Sequence, residues 1–527
     1  MRSVIALVLT PILAASVVAC SSARKPHEVS PALQAIVSGK PVPNVEPAVW
    51  KDVQAFYTQR EHAPAWVDNR RPTERAADAI AVLNTARQHG YSADDYGVAD
   101  LLAMSQEVEK IDKESPKRLE HNAQFDVRLT AGLLQLGRDV AIGRVTDPKW
   151  KSQRKAPDFV ATLEKVADGD AKTWLDEVRP PHVEYEALAR ALDALHGQKE
   201  KGGWPQVPAV SKPGASGPAV VALRQRLAMS VQLKGDPAAS NSYDADVEAA
   251  VKSFQELHGI KATGIVDKPT LAAMNVPLET RMRQVALNLQ RWRWMPDGLG
   301  ERHFMVNIPN FHVYARENGK TVMDIRVVVG KVGNNTPLFS DEMESVVFSP
   351  YWNIPDSIAQ GETLPAIAKD PNYLARQNME IVRTSGEQVD PSEVDWNDPE
   401  ALKGFSFRQR PGSGNALGHV KFLFPNQHNV YLHDTPADNL FGKPTRAFSH
   451  GCVRVEEPEQ LAKYVLRGYP EWDEASIGAA MHSGVEKHVK LKQKIPVHIV
   501  YFTSWVDENG GLHFQPDIYN YDQPIDN

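Results

Sequence analysis

The stretch RAFSHGCVRV sets Cys452 between a glycine and an alternating apolar run, in a chain whose other cysteine is Cys20. A thiolate is a strong nucleophile, but a free cysteine has a pKa of about 8.5 and is mostly protonated at neutral pH. It therefore needs a base or a cation beside it. His433, in VYLHDT 19 residues earlier, ends an alternating strand pattern. That spacing lets two adjacent elements, joined by the loop PADNLFGKPTRAF, bring imidazole and thiol together. Gly451 lets the backbone turn tightly and present peptide N–H groups to a carbonyl oxygen, as an oxyanion site requires. Glu457-Pro458 then suits a helix start, and a helix dipole aids a nearby thiolate within about one turn. The plainer alternatives are that Cys452 is a small buried hydrophobe and His433 a core or surface histidine.

The elements that must position these residues follow from periodicity. Helical spacing at Ala76, Ile80, Leu83 and Arg87, stopped by Gly90, and at Phe125, Leu129, Gly132, Leu136 and Val140, stopped by Gly143, predicts an α-helical domain over 49–200. The aromatic stretch FYTQREHAPAW within it reads as core rather than as a binding site. After a Gly, Pro and Ser-rich joint, Val220, Leu223 and Leu227 and then Val247, Val251 and Phe254 predict a small helical unit over 210–277. Leu278, Met282, Val285, Leu289 and Trp292 lie on one face of an amphipathic helix. The period then falls to two, with a hairpin around Asn318-Gly319, and β-structure dominates 278–510. Residues 354–418 are too long for a plain loop and read as an inserted lid or subdomain. Residues 511–527 read as a C-terminal tail.

A chain of 527 residues supports two to four domains. With 42% apolar and 24% charged residues it resembles neither a disordered chain nor a bundle of membrane spans. A net charge of -7 gives no electrostatic reason to expect nucleic acid. The N-terminus, MRSVIALVLTPILAASVVACSS, has the layout of a secretory signal over 1–19, followed by a Pro and Ser-containing tether over 20–48. Val17-Val18-Ala19-Cys20 has the form of a lipobox, with lipidation of Cys20 as the expectation and ordinary cleavage after Ala19 or Ala23 as the alternative. Exported proteins meet an oxidising compartment, where cysteines pair or are absent. If Cys20 carries lipid, Cys452 has no partner left.

Two resemblances follow from quoted residues. The pattern AVKSFQ..HGI...G.VD..T resembles the peptidoglycan-binding module of cell-wall proteins. The segment YLHDTPADNLFGKPTRAFSHGCVRVEEPEQLA resembles the His and Ser-His-Gly-Cys signature of the YkuD-type L,D-transpeptidases. The order of NLQRWRWMP, VVVGKVGNNTP and PYWNIP before it is similar to the large YcbB-like branch of that family. The resemblance implies a multidomain α+β protein: an α-helical N-terminal scaffold, a three-helix peptidoglycan-binding domain, and a mainly-β catalytic domain with an inserted lid. It further implies that Cys452 attacks a donor stem tetrapeptide between diaminopimelate and D-Ala, with His433 as general base and then acid. The Asp434 backbone carbonyl would orient the imidazole, and N–H groups near Gly451 and Cys452 would hold the oxyanion. Tyr431, Ser449, His450 and Arg454 would line the site, Arg454 suiting a substrate carboxylate, or else pairing with Glu456 at the surface. No cofactor or metal is implied. The expected partners are peptidoglycan stem peptides and glycan, with the membrane reached through a lipid anchor and the chain placed in the periplasm or cell envelope. Carbapenems would be expected to acylate Cys452.

Other chemistries lack their residues. A serine D,D-transpeptidase needs Ser-x-x-Lys with Lys-Thr-Gly; SARK and SQRK occur, but no Lys-Thr-Gly does. His419, His428, His433 and His450 are near in sequence, without a zinc pattern. VVVGKVGNNTP lacks the phosphate-loop order. A non-catalytic wall-binding lipoprotein, and hydrolysis or D-amino-acid exchange on the same fold, remain the alternatives to crosslinking.

Overall fold

The computed structural model describes residues 27–523, apart from 69, 210–211, 231–232, 234, 239, 384 and 397–403. The signal segment and Cys20 lie outside the described residues. The chain divides into two compact units, the first built from residues up to 84, 93–136 and 158–177, the second from 85–92, 137–157 and 178 onward.

The first unit is helical. Pro47–Gln59 opens on a proline, whose missing N–H costs nothing at a helix start, and buries Val49, Trp50, Val53, Phe56 and Tyr57. The aromatic stretch is core: Phe56, Tyr57, Ala65 and Trp66 are all fully buried. It is held by a buried carboxylate on the helix Pro116–Ile142. Asp126 accepts from the Tyr57 hydroxyl (2.6 Å) and the backbone N–H groups of Ala65 (3.0 Å), Trp66 (2.7 Å) and Val67 (3.0 Å). Four donors replace the water this carboxylate loses. The segment 20–48, expected to be a tether, instead contains in its described part a helix, Ser30–Val37, with Val29, Leu33 and Val37 buried.

In the second unit, Pro218–Met229, Ala245–Leu257 and Lys268–Met274 form a small three-helix domain around Val220, Leu223, Leu227, Val247, Val251 and Phe254. Two of its helices start on aspartate caps: Asp244 accepts from Val247 N–H and Asp267 from Thr270 N–H, each at 3.0 Å. Gln255, in the SFQ motif, is fully buried and bonded to Thr263, Ile265, Thr270 and the Gly264 N–H. That glutamine is a structural brace.

Leu278–Trp292 then packs its predicted apolar face into the large core. Nine strands follow: β1 Arg302–Asn307, β2 His312–Glu317, β3 Lys320–Gly330, β4 Phe339–Phe348, β5 Val420–Leu423, β6 Leu432–His433, β7 Ala447–Ser449, β8 Val453–Val455 and β9 Lys487–Val500. Their order is β7-β3-β8-β6-β5-β4-β9-β1-β2, and β2 also pairs with β3. The β2–β3 hairpin turns at Asn318 and Gly319, both with positive φ, as the sequence suggests.

The insertion enters between β4 and β5, adjacent antiparallel strands with Phe348 opposite Val420. Ser349 N–H donates to His419 O (2.8 Å) across its base. It carries its own four-stranded sheet, starting at Trp352–Asn353, and its own core of Ile354, Ile367, Leu374, Ile381, Val389 and Phe407. The lid is thus a subdomain. Residues 511–527, expected to be a tail, are packed in their described part: Leu512–Phe514 pairs with Ser504–Val506, and Tyr519 is buried.

Candidate active site

Strand register assembles the site. β6 and β8 run parallel, with Leu432 opposite Val453 and His433 opposite Arg454; Val453 N–H donates to Tyr431 O (3.1 Å). Side chains alternate faces along a strand. Leu432, Val453 and Val455 therefore enter the core, and Tyr431, His433, Cys452 and Arg454 share the other face. Lys421 on β5 stands opposite His433 and extends the row. These five residues line a cavity of about 810 Å³ with Ser449 and His450, and with Trp352 to Ile358 and Glu362 of the lid.

His433 is buried, and its Nδ1 lies 2.5 Å from the Asp434 carbonyl oxygen. Because a carbonyl only accepts, Nδ1 carries the hydrogen and Nε2 is left with a lone pair. Burial, aided by the Arg454 charge, lowers the imidazole pKa to about 3, so it is neutral at pH 7. The Asp434 side chain is held by the N–H groups of His419 and Thr435, each at 2.7 Å, which fixes the peptide that orients His433.

Cys452 is a half-buried free thiol. Burial raises its pKa above the ordinary thiol value, opposed by hydrogen bonds from the Tyr431 backbone and hydroxyl and by the Arg454 charge. Desolvation wins. The helix Pro458–Val465 does start where predicted. The resting pair is a thiol with a neutral imidazole. Such a pair can add sulfur to a carbonyl while the base takes its proton.

Gly451 has φ of 120°, a conformation that favours glycine. Its N–H donates to Ser449 Oγ (3.1 Å), whose hydroxyl in turn donates to Cys452 O (2.5 Å). Ser449 is thereby committed to the turn, and the Gly451 N–H is already occupied. His450 is exposed, with Nε2 2.9 Å from Glu362 of the lid. Arg454 does not pair with Glu456, which binds Arg326 instead through Nε at 2.6 Å and Nη2. The Arg454 Nε is buried without a hydrogen-bond partner among the described residues, and burial lowers its pKa. Sequence reading missed Lys421, whose signal was only its place in the alternating HVKFLF. Among the described residues, no three His, Cys, Asp or Glu side chains gather to hold a metal.

Three family models match the chain. Residues 301–472 match the YkuD L,D-transpeptidase catalytic domain, the stretch that contains the whole Tyr431 to Arg454 row. The chain carries an L,D-transpeptidase catalytic domain. Residues 216–274 match a model described as "Putative peptidoglycan binding domain" and 51–192 one described as "Scaffold domain". The region matching the transpeptidase model thus follows a helical N-terminal region and the region matching the peptidoglycan-binding model, in the architecture the sequence implies. A Haemophilus influenzae protein named "Putative L,D-transpeptidase" is 36% identical over 244 residues, 46% of this chain and 49% of that protein. The chain spans about half the length of this curated relative. An L,D-transpeptidase from Mycobacterium smegmatis is matched at 11% identity and a TM-score of 0.18, over 38% of this chain and 58% of that one. One from Stackebrandtia nassauensis is matched at 16% and 0.22, over 56% and 96%. Among the described residues no helix is long and apolar enough to cross a membrane.

Proposed function

We propose that the chain is a peptidoglycan L,D-transpeptidase that forms 3→3 crosslinks through a thioester on Cys452. The observation that carries this reading is the single-face row of Tyr431, His433, Cys452 and Arg454 opening into one cavity, with His433 fixed in the tautomer that leaves Nε2 as a base. Cys452 Sγ adds to the carbonyl carbon between diaminopimelate and D-Ala, and its proton passes to His433. Collapse of the tetrahedral adduct breaks the C–N bond, and His433 returns the proton to the departing D-Ala amine. The acceptor stem's amine then attacks the thioester, loses a proton to His433, and releases the thiol. Arg454 and Lys421 place positive charge on the cavity floor, suited to the carboxylates of the donor stem. The three-helix domain keeps the enzyme on the sacculus, and Cys20, through lipid, holds it at a membrane of the envelope.

Incubation with a disaccharide tetrapeptide tests this by mass spectrometry. Wild type yields a dimer lacking one D-Ala; Cys452→Ala yields none and still pellets with sacculi. Loss of D-Ala without a dimer would instead identify a carboxypeptidase. A Cys452→Ala variant that crosslinks as well as wild type would remove Cys452 from the chemistry.

A further inference from the structure

The catalytic turn is tied to the end of the chain through the loop that follows β3. Thr336, fully buried, donates from Oγ1 to Gly451 O (2.8 Å) and accepts from Gly330 N–H (2.9 Å). Its own N–H donates to the Tyr519 hydroxyl (3.3 Å), which donates onward to Gly330 O (2.5 Å). One residue earlier, Asn335 Nδ2 donates to the Tyr521 hydroxyl (2.9 Å). Tyr519 is itself fixed: its N–H donates to Tyr501 Oη (2.8 Å), and Tyr501 is held by Asp517 (2.6 Å). The loop packs closely against the end of β3 at Gly330. A Cβ on Gly330 would meet Asn334 O at 2.1 Å and Thr336 N at 2.8 Å.

The consequence lies in one peptide plane. In a trans peptide the C=O and the following N–H point in opposite directions. Holding Gly451 O on the buried Thr336 hydroxyl therefore turns the Cys452 N–H away from Thr336. Thr336 is not among the residues lining the cavity, whereas Cys452 is. The Gly451 N–H is taken by Ser449, and among the described residues nothing accepts from the Cys452 N–H. Between the Gly451 and Cys452 N–H groups, it is the Cys452 one that is left for an acyl oxygen.

We infer that Thr336 and Tyr519 are positioning residues that aim the Cys452 N–H as the oxyanion donor. They touch no substrate and act through Gly451. The inference rests on the proposal that Cys452 is acylated, and it adds the residues that set the rate of that acylation. It also gives the C-terminal segment a task in the chemistry: Tyr519 braces the loop without lining the cavity.

Two reactions of the same sulfur separate this role from a merely structural one. Acylation by a carbapenem builds negative charge on a carbonyl oxygen; alkylation by iodoacetamide displaces iodide and builds none. In the full chain, Thr336→Val is expected to slow carbapenem acylation about tenfold or more, since losing an oxyanion donor outright costs about a hundredfold or more. Iodoacetamide alkylation should stay within about twofold of wild type. Thr336→Ser, which keeps the hydroxyl, should restore acylation, and Tyr519→Phe, which keeps the ring, should slow acylation without changing alkylation. Wild-type acylation in Thr336→Val and Tyr519→Phe, or equal losses in both reactions, would overturn the inference. A wild type that is alkylated but never acylated would overturn the acyl-transfer reading itself, and this inference with it.

Discussion

At the scale of single residues, burial decides the protonation of the site. Both members of the proposed pair are pushed toward their neutral forms: His433 loses affinity for a proton and Cys452 holds its proton more tightly. The sign of the pH dependence follows. A thiol whose pKa is raised is protonated below its ordinary value and ionises only as pH climbs past it. Alkylation of Cys452 by iodoacetamide should therefore be slow near neutrality and rise with pH, with a midpoint above about 8.5. A rate already at its plateau below about pH 7 would contradict the neutral pair and indicate a thiolate held by an imidazolium. The juxtaposition of Cys452 and His433 in one cavity is legible in the sequence because the lone thiol, the glycine and the histidine stand out by type and spacing. Ser449 is legible only as part of the motif, and its commitment to the turn needed coordinates. Thr336 carries no signal of its own; its partner Gly451 is distant in the chain, and the contact exists only once β3 and β8 pair.

At the scale of elements, what was legible was what repeats. Leu278–Trp292 and the helices carrying Val220 and Val247 show their buried faces in the 3.6-residue period, and the hairpin at Asn318-Gly319 shows its turn. The helix Ser30–Val37 has only Leu33 and Val37 buried along its eight residues, between proline-containing flanks, too little for a period to emerge. The strand Leu512–Phe514 has three residues and is defined by its partner rather than by propensity. The scaffold's keystone was equally silent: Asp126 reads as one polar position in a long helix, yet it accepts four hydrogen bonds in a fully buried place. Replacing it by alanine strands those donors, each at a cost of about 1–3 kcal/mol before relaxation. Asp126→Ala should destabilise the protein by about 3 kcal/mol or more in urea unfolding followed by tryptophan fluorescence. A loss below about 1 kcal/mol would mean that the Ala65 to Val67 turn is held by other means.

At the scale of the whole molecule, the matched regions follow one another as scaffold, wall-binding domain and transpeptidase domain. Within the second unit, the His258 ring lies 5.5 Å from Phe514, and Arg281 lies 4.6 Å over the same ring. The strand that follows the catalytic sheet thus packs against the small helical domain, and a few residues later Tyr519 reaches back toward the catalytic turn. Within this unit, the segment read from sequence as a tail instead joins the small helical domain to the catalytic-domain sheet. We propose that the protein's chemistry runs through a thioester of the donor stem on Cys452. The direct measurement is to mix the full chain with disaccharide tetrapeptide, quench in acid, and map the covalent adduct by peptide mass spectrometry. The adduct should be the donor without its D-Ala, on the peptide containing Cys452, and missing from Cys452→Ala. No adduct, an adduct that keeps D-Ala, or one on any other residue would contradict it.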